Sequence, residues 1–297
     1  MSPAIHIAIL FSLCETLFVY RKLSEIMSTK SIESTLPNRD FVTALARGLE
    51  VIGAFGSLTP EMTLSELAHA TGLSAATVRR SLITLELLGF VRRNHRQFVL
   101  APKVLTLGAS YFASMNLKEV AQYHLVELVE RFHDSSSLTV LDGFEVIYVA
   151  HVPSDQRVRH GQSAGSRLPA HATSTGLVLM ANSSQEHRAQ MLKQRLPQYT
   201  SQTPVTPVEL KTRFEQILVD DYAIARDTIE YGSMSLAVPV RDEDGRVIAA
   251  VNCTTATALT TPKKLLKARL VPLQETARKI GLMLARFPAL AHSVVAH

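Results

Sequence analysis

The stretch TLSELAHATGLSAATVRRSLITLELLGFVRRNHRQFVL, residues 63–100, predicts a helix, a tight turn, a second helix and a β-hairpin. Thr63 and Glu66 have the spacing of a capping box at the start of the first helix. Ser74 is a candidate N-cap of the second helix, and Gly89 suits the left-handed position just past its end. Two short β-prone pieces follow. This order is that of a winged helix-turn-helix, whose second helix enters the major groove of DNA.

The positive charge of the chain is concentrated in the second helix and the wing. The 297 residues include 31 basic and 26 acidic ones, a formal net charge of +5. The window from Ser74 to Lys103 has six basic residues and one acidic residue, so it alone accounts for that +5. A basic helix and wing indicate a phosphate-binding face, although a solvated helix surface gives the same pattern.

The basic side chains of this window have two predicted roles. Arg79 and Arg80 on the second helix are candidates for guanine recognition or phosphate contact. The arginines of the wing, whose strands are joined by Asn94-His95, are candidates for phosphate contacts. The predicted DNA-binding residues are Ser74, Thr77, Arg79, Arg80, Arg92, Arg93 and Arg96.

The length and composition predict two globular domains. With 46% hydrophobic and 19% charged residues, the chain has enough apolar side chains for two cores. Neither Cys14 nor Cys253 has metal-ligand spacing, and the 11 histidines form no ligand pattern. We therefore predict no metal, no cofactor and no disulfide. We expect a cytoplasmic protein that does not bind a membrane.

Residues 4–20, AIHIAILFSLCETLFVY, form an apolar run near the start of the chain. Only three residues precede the run, and they lack the basic segment of a signal peptide. Glu15 lies inside the run, which argues against a membrane span. Two interpretations stay open. Either residues 1–26 come from an upstream start codon, or they form an extra amphipathic helix that packs on a partner.

The chain divides into five predicted segments. Residues 1–38 are an N-terminal extension, 39–101 the winged helix-turn-helix domain, 102–116 a linker helix, 117–286 a second domain and 287–297 a tail. We predict that Asp40 caps the first helix of the DNA-binding domain. The predicted apolar face of that helix consists of Val42, Leu45, Leu49 and Ile52.

The second domain has the pattern of an antiparallel sheet with helices. Alternating apolar runs flank Asp142-Gly143 and 242–245, which are two hairpin signals. Thr206-Pro207 marks the start of a helix, and a closing helix begins at Pro262 and is interrupted at Pro272. The predicted fold class is α+β, with the helices on one side of the sheet.

Eight blocks of the sequence carry a resemblance to a known family: ALARGLEVI, TLSELAHATGL, TVRRSL, LELLGFV, LAPKVLTLGASY, VLDGFEVIYVAHV, GSRLPAHATSTG and LAVPVRDEDGRVIAAVN. In this order they resemble the IclR-type bacterial transcriptional regulators over residues 39–286. The resemblance implies a homodimer or tetramer with a C-terminal GAF-like domain that binds a small organic acid. Two blocks are most similar to the branch that controls aromatic-acid catabolism, the protocatechuate and β-ketoadipate pathway regulators.

The resemblance also implies an effector pocket in the second domain. Ala225 and Thr228 stand where family members often carry acids, and Arg226 between them is a candidate ligand for an anion. The alternative for Arg226 is a solvent-facing position at a strand edge. The predicted effector-binding residues are Ser174, Thr175, Arg226, Ser235, Asn252 and Thr254, with Leu236, Val238 and Val251 as candidate apolar walls.

These observations predict a DNA-binding transcriptional regulator, not an enzyme, that responds to a monoanionic aromatic acid such as a hydroxybenzoate. Two alternatives belong to other classes. Residues 161–165 match G-x-S-x-G, the nucleophile motif of ester hydrolases, but Leu168-Pro169 cannot begin the helix that this motif requires. A DNA-binding protein without a ligand would leave nearly two thirds of the chain without a role.

Overall fold

The computed structural model describes residues 41–56, 59–108, 117–154 and 162–284. The predicted extension at 1–38, the tail from 287 and the linker beyond 108 therefore lie wholly or mostly outside the described residues. The chain forms two compact units, Met1–Ser110 and Tyr111–His297. Each unit is described by itself below.

In the described part of the first unit, three helices pack around a small antiparallel sheet. Its core is formed by apolar side chains from all three helices and from the sheet, among them Val51, Leu67, Val78, Leu82 and Phe98. The strands lie in the order β1-β3-β2. The elements are α1 (Thr43–Gly53), β1 (Glu61–Thr63), α2 (Leu64–Thr71), α3 (Ala75–Leu87), β2 (Val91–Asn94) and β3 (Gln97–Leu100).

The predicted helix boundaries at α2 and α3 are confirmed by their capping geometry. The backbone N–H of Glu66 donates to the Thr63 hydroxyl at 3.3 Å, and the Glu66 carboxylate accepts from the Thr63 backbone N–H at 2.7 Å. Gly72 ends α2 in the left-handed conformation, with φ of 66°. After α3, Gly89 has φ of 79°, and the next backbone N–H, that of Phe90, donates back to the Leu85 carbonyl. This is a Schellman ending, which requires a residue that tolerates positive φ.

Of three local predictions for the first unit, one lies outside the described residues, one holds in part and one is wrong. Asp40, the predicted cap of α1, is outside the described residues, and the Val42 side chain at the start of the helix makes no cap hydrogen bond. Of the predicted apolar face of α1, Ile52 packs against the core, whereas Val42, Leu45 and Leu49 are exposed. The wing turn is formed by His95 and Arg96, since Asn94 pairs with Gln97 inside the hairpin. The third strand, β1, was not predicted, because three residues are too few to show a period.

The second unit is built on one six-stranded antiparallel sheet in the order β6-β5-β4-β9-β8-β7. Its hairpins β4–β5 and β8–β9 match the two predicted hairpin signals. The elements are α4 (Leu117–Phe132), β4 (Ser135–Asp142), β5 (Glu145–Val152), β6 (Arg167–Pro169), α5 (Ser174–Ala181), α6 (Gln185–Leu192), α7 (Pro207–Asp220), β7 (Ala223–Arg226), β8 (Ser233–Arg241), β9 (Val247–Ala256) and α8 (Pro262–Leu284).

Helices cover both faces of this sheet, so the prediction of helices on one side is wrong. Helices α4 and α8 pack on one face, where Leu125 and Ile280 meet Leu236 and Val251 in a buried cluster. Helices α5 and α7 pack on the other face, around side chains that include Tyr148. Because both faces of the central strands are apolar, both need a covering layer. The α+β class itself is confirmed.

The closing helix α8 runs without a break from Pro262 to Leu284, so the predicted interruption at Pro272 is wrong. Leu273 and Ala277 directly beyond the proline are buried against the sheet. Packing therefore outweighs the lost backbone hydrogen bond. Within the described ranges, no helix combines the length and apolar character needed to cross a membrane.

Candidate DNA interface and effector site

The exposed face of α3 is the candidate DNA-reading surface. Val78 is fully buried, while Arg79 and Arg80 are exposed. Arg80 lies two residues beyond Val78, about half a turn around the helix, so it projects directly away from the core. At the start of the helix, Ser74 accepts the Thr77 backbone N–H at 3.2 Å, and the two hydroxyl oxygens lie 2.9 Å apart. These two predicted DNA-binding residues therefore also form the N-cap.

The wing carries the other three predicted DNA-binding residues, and they are not equivalent. The Arg93 guanidinium lies over the Phe98 ring, 5.0 Å from its centroid. Arg93 thus contributes a cation–π contact to the hairpin as well as charge. Arg92 and Arg96 are exposed and make no such ring contact in the described part of the chain. Lys103, part of the basic window, donates to the Leu88 carbonyl at 2.8 Å and so satisfies the end of α3.

In the second unit, four of the predicted effector-binding residues form one hydrogen-bonded cluster. The Ser174 and Ser235 hydroxyl oxygens lie 2.6 Å apart. The Asn252 amide nitrogen donates to Ser235 at 3.1 Å and to Thr254 at 3.3 Å, and the Thr254 hydroxyl donates to Ser235 at 3.1 Å. We call Ser174, Ser235, Asn252 and Thr254 the hydroxyl cluster. It lies between the first turn of α5 and the sheet face that α5 covers.

The directions of the hydrogen bonds in the hydroxyl cluster are fixed by one backbone group. The Ser137 backbone N–H donates to the Asn252 side-chain oxygen at 3.0 Å, so the amide nitrogen must point at Ser235 and Thr254. Ser235 then accepts two hydrogen bonds, which uses both lone pairs of its oxygen. Its own proton is left for Ser174. The Ser174 O–H is the last donor in this series of hydrogen bonds, so it is available to donate to a ligand.

The start of α5 adds further donors next to Ser174. Thr173 is the N-cap, and its hydroxyl accepts the Gly176 backbone N–H at 3.1 Å. The N–H groups of Ser174 and Thr175 belong to the first turn, where they have no acceptor within the helix. The Thr175 hydroxyl is completely buried and has no hydrogen-bond partner among the described residues. The N–H groups of this helix start, together with the Ser174 and Thr175 hydroxyls, can bind an oxyanion.

Arg226 is not brought into the hydroxyl cluster. It pairs in register with Met234, whereas Ala225 pairs with Ser235, so Arg226 lies on the opposite face of the sheet. Its side chain is 55% exposed and forms an ion pair with the adjacent Asp227 at 3.3 Å. The solvent-facing alternative is therefore the correct one. A shift of one residue in strand register exchanges the two faces, which sequence alone does not fix.

The three predicted apolar walls lie on the other face, because each is an odd number of positions from Ser235 or Asn252 on the same strand and successive strand residues point to opposite faces. Leu236, Val238 and Val251 belong to the core under α4 and α8. On the face of the hydroxyl cluster, the sheet positions beside Asn252 are the small residues Ala237 and Ala250.

Three further polar residues on this face were not predicted. Ser137 and Thr139 on β4 are fully buried, and the Thr139 hydroxyl has no hydrogen-bond partner among the described residues. His151 on β5 lies with its Nδ1 atom 2.9 Å from the Ser137 hydroxyl oxygen. The alternating polar residues at the start of β4 were a usable signal for the first two. Nothing in the sequence placed His151 with them.

The G-x-S-x-G match does not form a nucleophile elbow. Gly161 lies outside the described residues. Ser163 lies in a turn, where its backbone N–H donates to the Ser166 hydroxyl at 3.0 Å. Strand β6 begins directly after this turn. The elbow requires a helix at that point, so the structure does not support the hydrolase alternative.

Comparison with known families identifies both units. Residues 44–95 match the IclR helix-turn-helix domain, and residues 109–282 match the C-terminal domain of the bacterial transcriptional regulator IclR. The chain belongs to the IclR family. The IclR-family resemblance noted in the sequence is thereby confirmed, and the protein is a DNA-binding transcriptional regulator of this family.

Three relatives show which members of the family are similar. The chain is 34% identical to the Pca regulon regulatory protein of Pseudomonas putida, over 82% of this chain and 84% of that protein. It is 34% identical to the p-hydroxybenzoate hydroxylase transcriptional activator of Acinetobacter baylyi, over 81% and 91% of the two chains. A solved IclR homologue from Microbacterium hydrocarbonoxydans, complexed with 4-hydroxybenzoate, has 26% identity and a TM-score of 0.70, over 82% and 99%.

Proposed function

We propose that this regulator binds an aromatic monocarboxylic acid at the hydroxyl cluster and DNA through α3 and the wing, and that it has no enzymatic activity. The observation that carries the ligand site is the Ser174 hydroxyl, whose proton is left free at the start of α5, next in the chain to the buried Thr175, whose hydroxyl has no partner among the described residues. A carboxylate only accepts hydrogen bonds, so it matches the O–H and N–H donors at the start of α5. Unpartnered buried hydroxyls are costly and rare in folded proteins, which also favours a ligand.

The identity of the acid is supported by the site and by the relatives. The hydroxyl cluster is neutral, so it suits one carboxylate held by hydrogen bonds and a helix start better than two. Two of the three relatives above are named for p-hydroxybenzoate or are solved with 4-hydroxybenzoate.

The proposal includes a homodimer or a tetramer acting on double-stranded DNA in the bacterial cytoplasm. One recognition helix contacts only a few base pairs. Two helices that meet half-sites about one helical turn, or a small multiple, apart supply the specificity that an operator requires.

The test of the ligand site is titration calorimetry with 4-hydroxybenzoate and its amide. We expect the acid to bind and the amide to bind at least a hundredfold more weakly, because the neutral amide lacks the charge that the donors match. Ser174→Ala should weaken binding of the acid by about 1.5–3 kcal/mol, the range for a hydrogen bond to a charged group. Equal affinity for acid and amide would contradict a carboxylate site. No binding of any aromatic acid would favour the alternative of a DNA-binding protein without this ligand.

The test of the DNA interface compares two arginines in anisotropy titrations over a range of salt. Arg80→Ala should lower affinity for a duplex selected from a randomised library by about 1–3 kcal/mol and leave unrelated duplexes little changed. Arg92→Ala should weaken all duplexes alike and flatten the salt slope by about one unit. Arg92 is a better choice than Arg93, whose loss would also remove the contact with Phe98. The exposed Arg226→Ala is the control for loss of charge alone. Unchanged binding of the selected duplex by the Arg80 variant would refute the groove assignment.

A further inference from the structure

Ser137 and His151 form a second polar pair on the same sheet face as the hydroxyl cluster. In register, Ser137 pairs with Asn252 on one side and with His151 on the other. Paired residues of antiparallel strands project from the same face, so all three side chains lie on the face that α5 covers. His151 is half-buried, and its ring meets the buried Tyr148 ring edge-on at 6.4 Å.

Among the described residues, the pair is left with one free hydrogen-bond donor and one free acceptor, whichever tautomer the imidazole adopts. If the Ser137 hydroxyl donates to Nδ1, then Nε2–H is a free donor and the Ser137 oxygen is a free acceptor. If Nδ1–H donates to Ser137, then Nε2 is the free acceptor and the Ser137 O–H is the free donor. Burial lowers the pKa of His151, which favours this neutral form near neutral pH. A hydroxyl group, which both donates and accepts, complements such a pair.

The separation of the two polar groups suits the length of a small ring. Ser137 and Ser235 are two strands and two residues apart, which places their Cα atoms about 12 Å from each other. The Ser174 hydroxyl, which donates to the carboxylate, lies 2.6 Å from that of Ser235, so a similar span separates the carboxylate end from the Ser137–His151 end. This span is long enough for a small ring with one hydrogen bond at each end. The Asn252 amide, which bonds to the Ser137 backbone and to Ser235, forms the floor between the two ends.

We infer that Ser137 and His151 bind a hydroxyl group at the far end of the acid, so the effector is an aromatic acid whose hydroxyl lies opposite its carboxyl group. This inference rests on the proposed function, because the hydroxyl cluster must hold the carboxylate. It also sets the specificity of the site. A ring without the hydroxyl leaves the pair unsatisfied, and a second carboxylate meets a neutral pair with only one donor.

The experiment is calorimetry of the full chain with three ligands that differ only in the group opposite the carboxylate: 4-hydroxybenzoate, benzoate and terephthalate. We expect 4-hydroxybenzoate to bind about tenfold more tightly than benzoate, the effect of one net neutral hydrogen bond. Terephthalate should bind about a hundredfold more weakly than 4-hydroxybenzoate, because its second carboxylate is buried without a matching charge. In Ser137→Ala and His151→Phe, the ratio of the affinity for 4-hydroxybenzoate to that for benzoate should fall to twofold or less. His151→Gln keeps a donor and an acceptor and should restore most of the preference.

The outcomes separate this inference from the proposed function. If no aromatic acid binds the unaltered protein, both fail. If all three ligands bind it equally well, the carboxylate site stands and the hydroxyl site does not. A tenfold preference that persists in both the Ser137 and the His151 variant would also overturn the inference. The comparison of ligands on the unaltered protein needs no variant to fold.

Discussion

Asn252→Asp is expected to reduce the affinity for the aromatic acid by at least about a hundredfold, or about 3 kcal/mol. The substitution keeps the side-chain shape, and one oxygen still accepts the Ser137 backbone N–H. The other oxygen replaces the amide nitrogen, so Ser235 and Thr254 must now donate to it. Ser235 then no longer donates to Ser174, so Ser174 donates to Ser235 instead of to the ligand. The substitution also puts a negative charge beside the carboxylate of the ligand. Both changes oppose binding of an anion.

The control for this variant is another residue of the same sheet. Arg226→Ala removes a charge on the opposite face and should leave ligand affinity unchanged. Calorimetry of both variants with the aromatic acid measures this. An affinity of the Asn252 variant within threefold of the unaltered protein would remove Asn252 from the site.

Gly176→Ala is expected to destabilise the second unit by about 3 kcal/mol or more and to abolish ligand binding. A Cβ atom at this position would overlap the backbone of Ala170, at its Cα and carbonyl oxygen, and the Thr173 hydroxyl. Backbone atoms cannot move aside without displacing the start of α5. That start carries the Ser174 and Thr175 groups of the effector site, so stability and binding should be lost together.

The matched control is a glycine whose Cβ would meet nothing. Gly48 lies inside α1, and no atom lies within 4 Å of the added methyl position. Gly48→Ala should therefore stabilise the first unit by about 0.5–1 kcal/mol, because alanine favours the helix. Chemical denaturation of both variants tests the pair. If both substitutions change the free energy of unfolding equally, close packing at the start of α5 is not the cause of the loss of stability in the Gly176 variant.

The helix-turn-helix could be predicted in detail because its signals are local. The capping box at Thr63, the left-handed positions of Gly72 and Gly89 and the Ser74 cap each depend on residues within five positions along the chain. Such contacts form wherever the helix forms, so the sequence alone is sufficient to locate them. The helix at Thr206-Pro207 was predicted on the same basis, and the Thr206 hydroxyl accepts the Glu209 backbone N–H at 3.3 Å.

The proposed effector site could be predicted only in part, because its members are brought together by strand pairing. The resemblance grouped Ser174, Ser235, Asn252 and Thr254 as effector-binding residues, and the structure brings these four side chains together. Arg226 was assigned to the same group because one residue of register was undetermined. Pro272 was taken as a break because the packing that holds α8 together comes from the distant sheet.

His151 shows most clearly what the sequence left open. Simple alternation along β5 would place Tyr148 and His151 on opposite faces, since they are three residues apart. The pairing with β4 shifts between Leu138 and Thr139, so that Val149 is an extra residue and both rings reach the same face. The sequence by itself determined the caps, turns and hairpins, whose contacts are local. Only the tertiary structure decided which side chains share a face. A bulge or a register shift of one residue exchanges the two faces of a strand, and the partner strands decide whether it occurs.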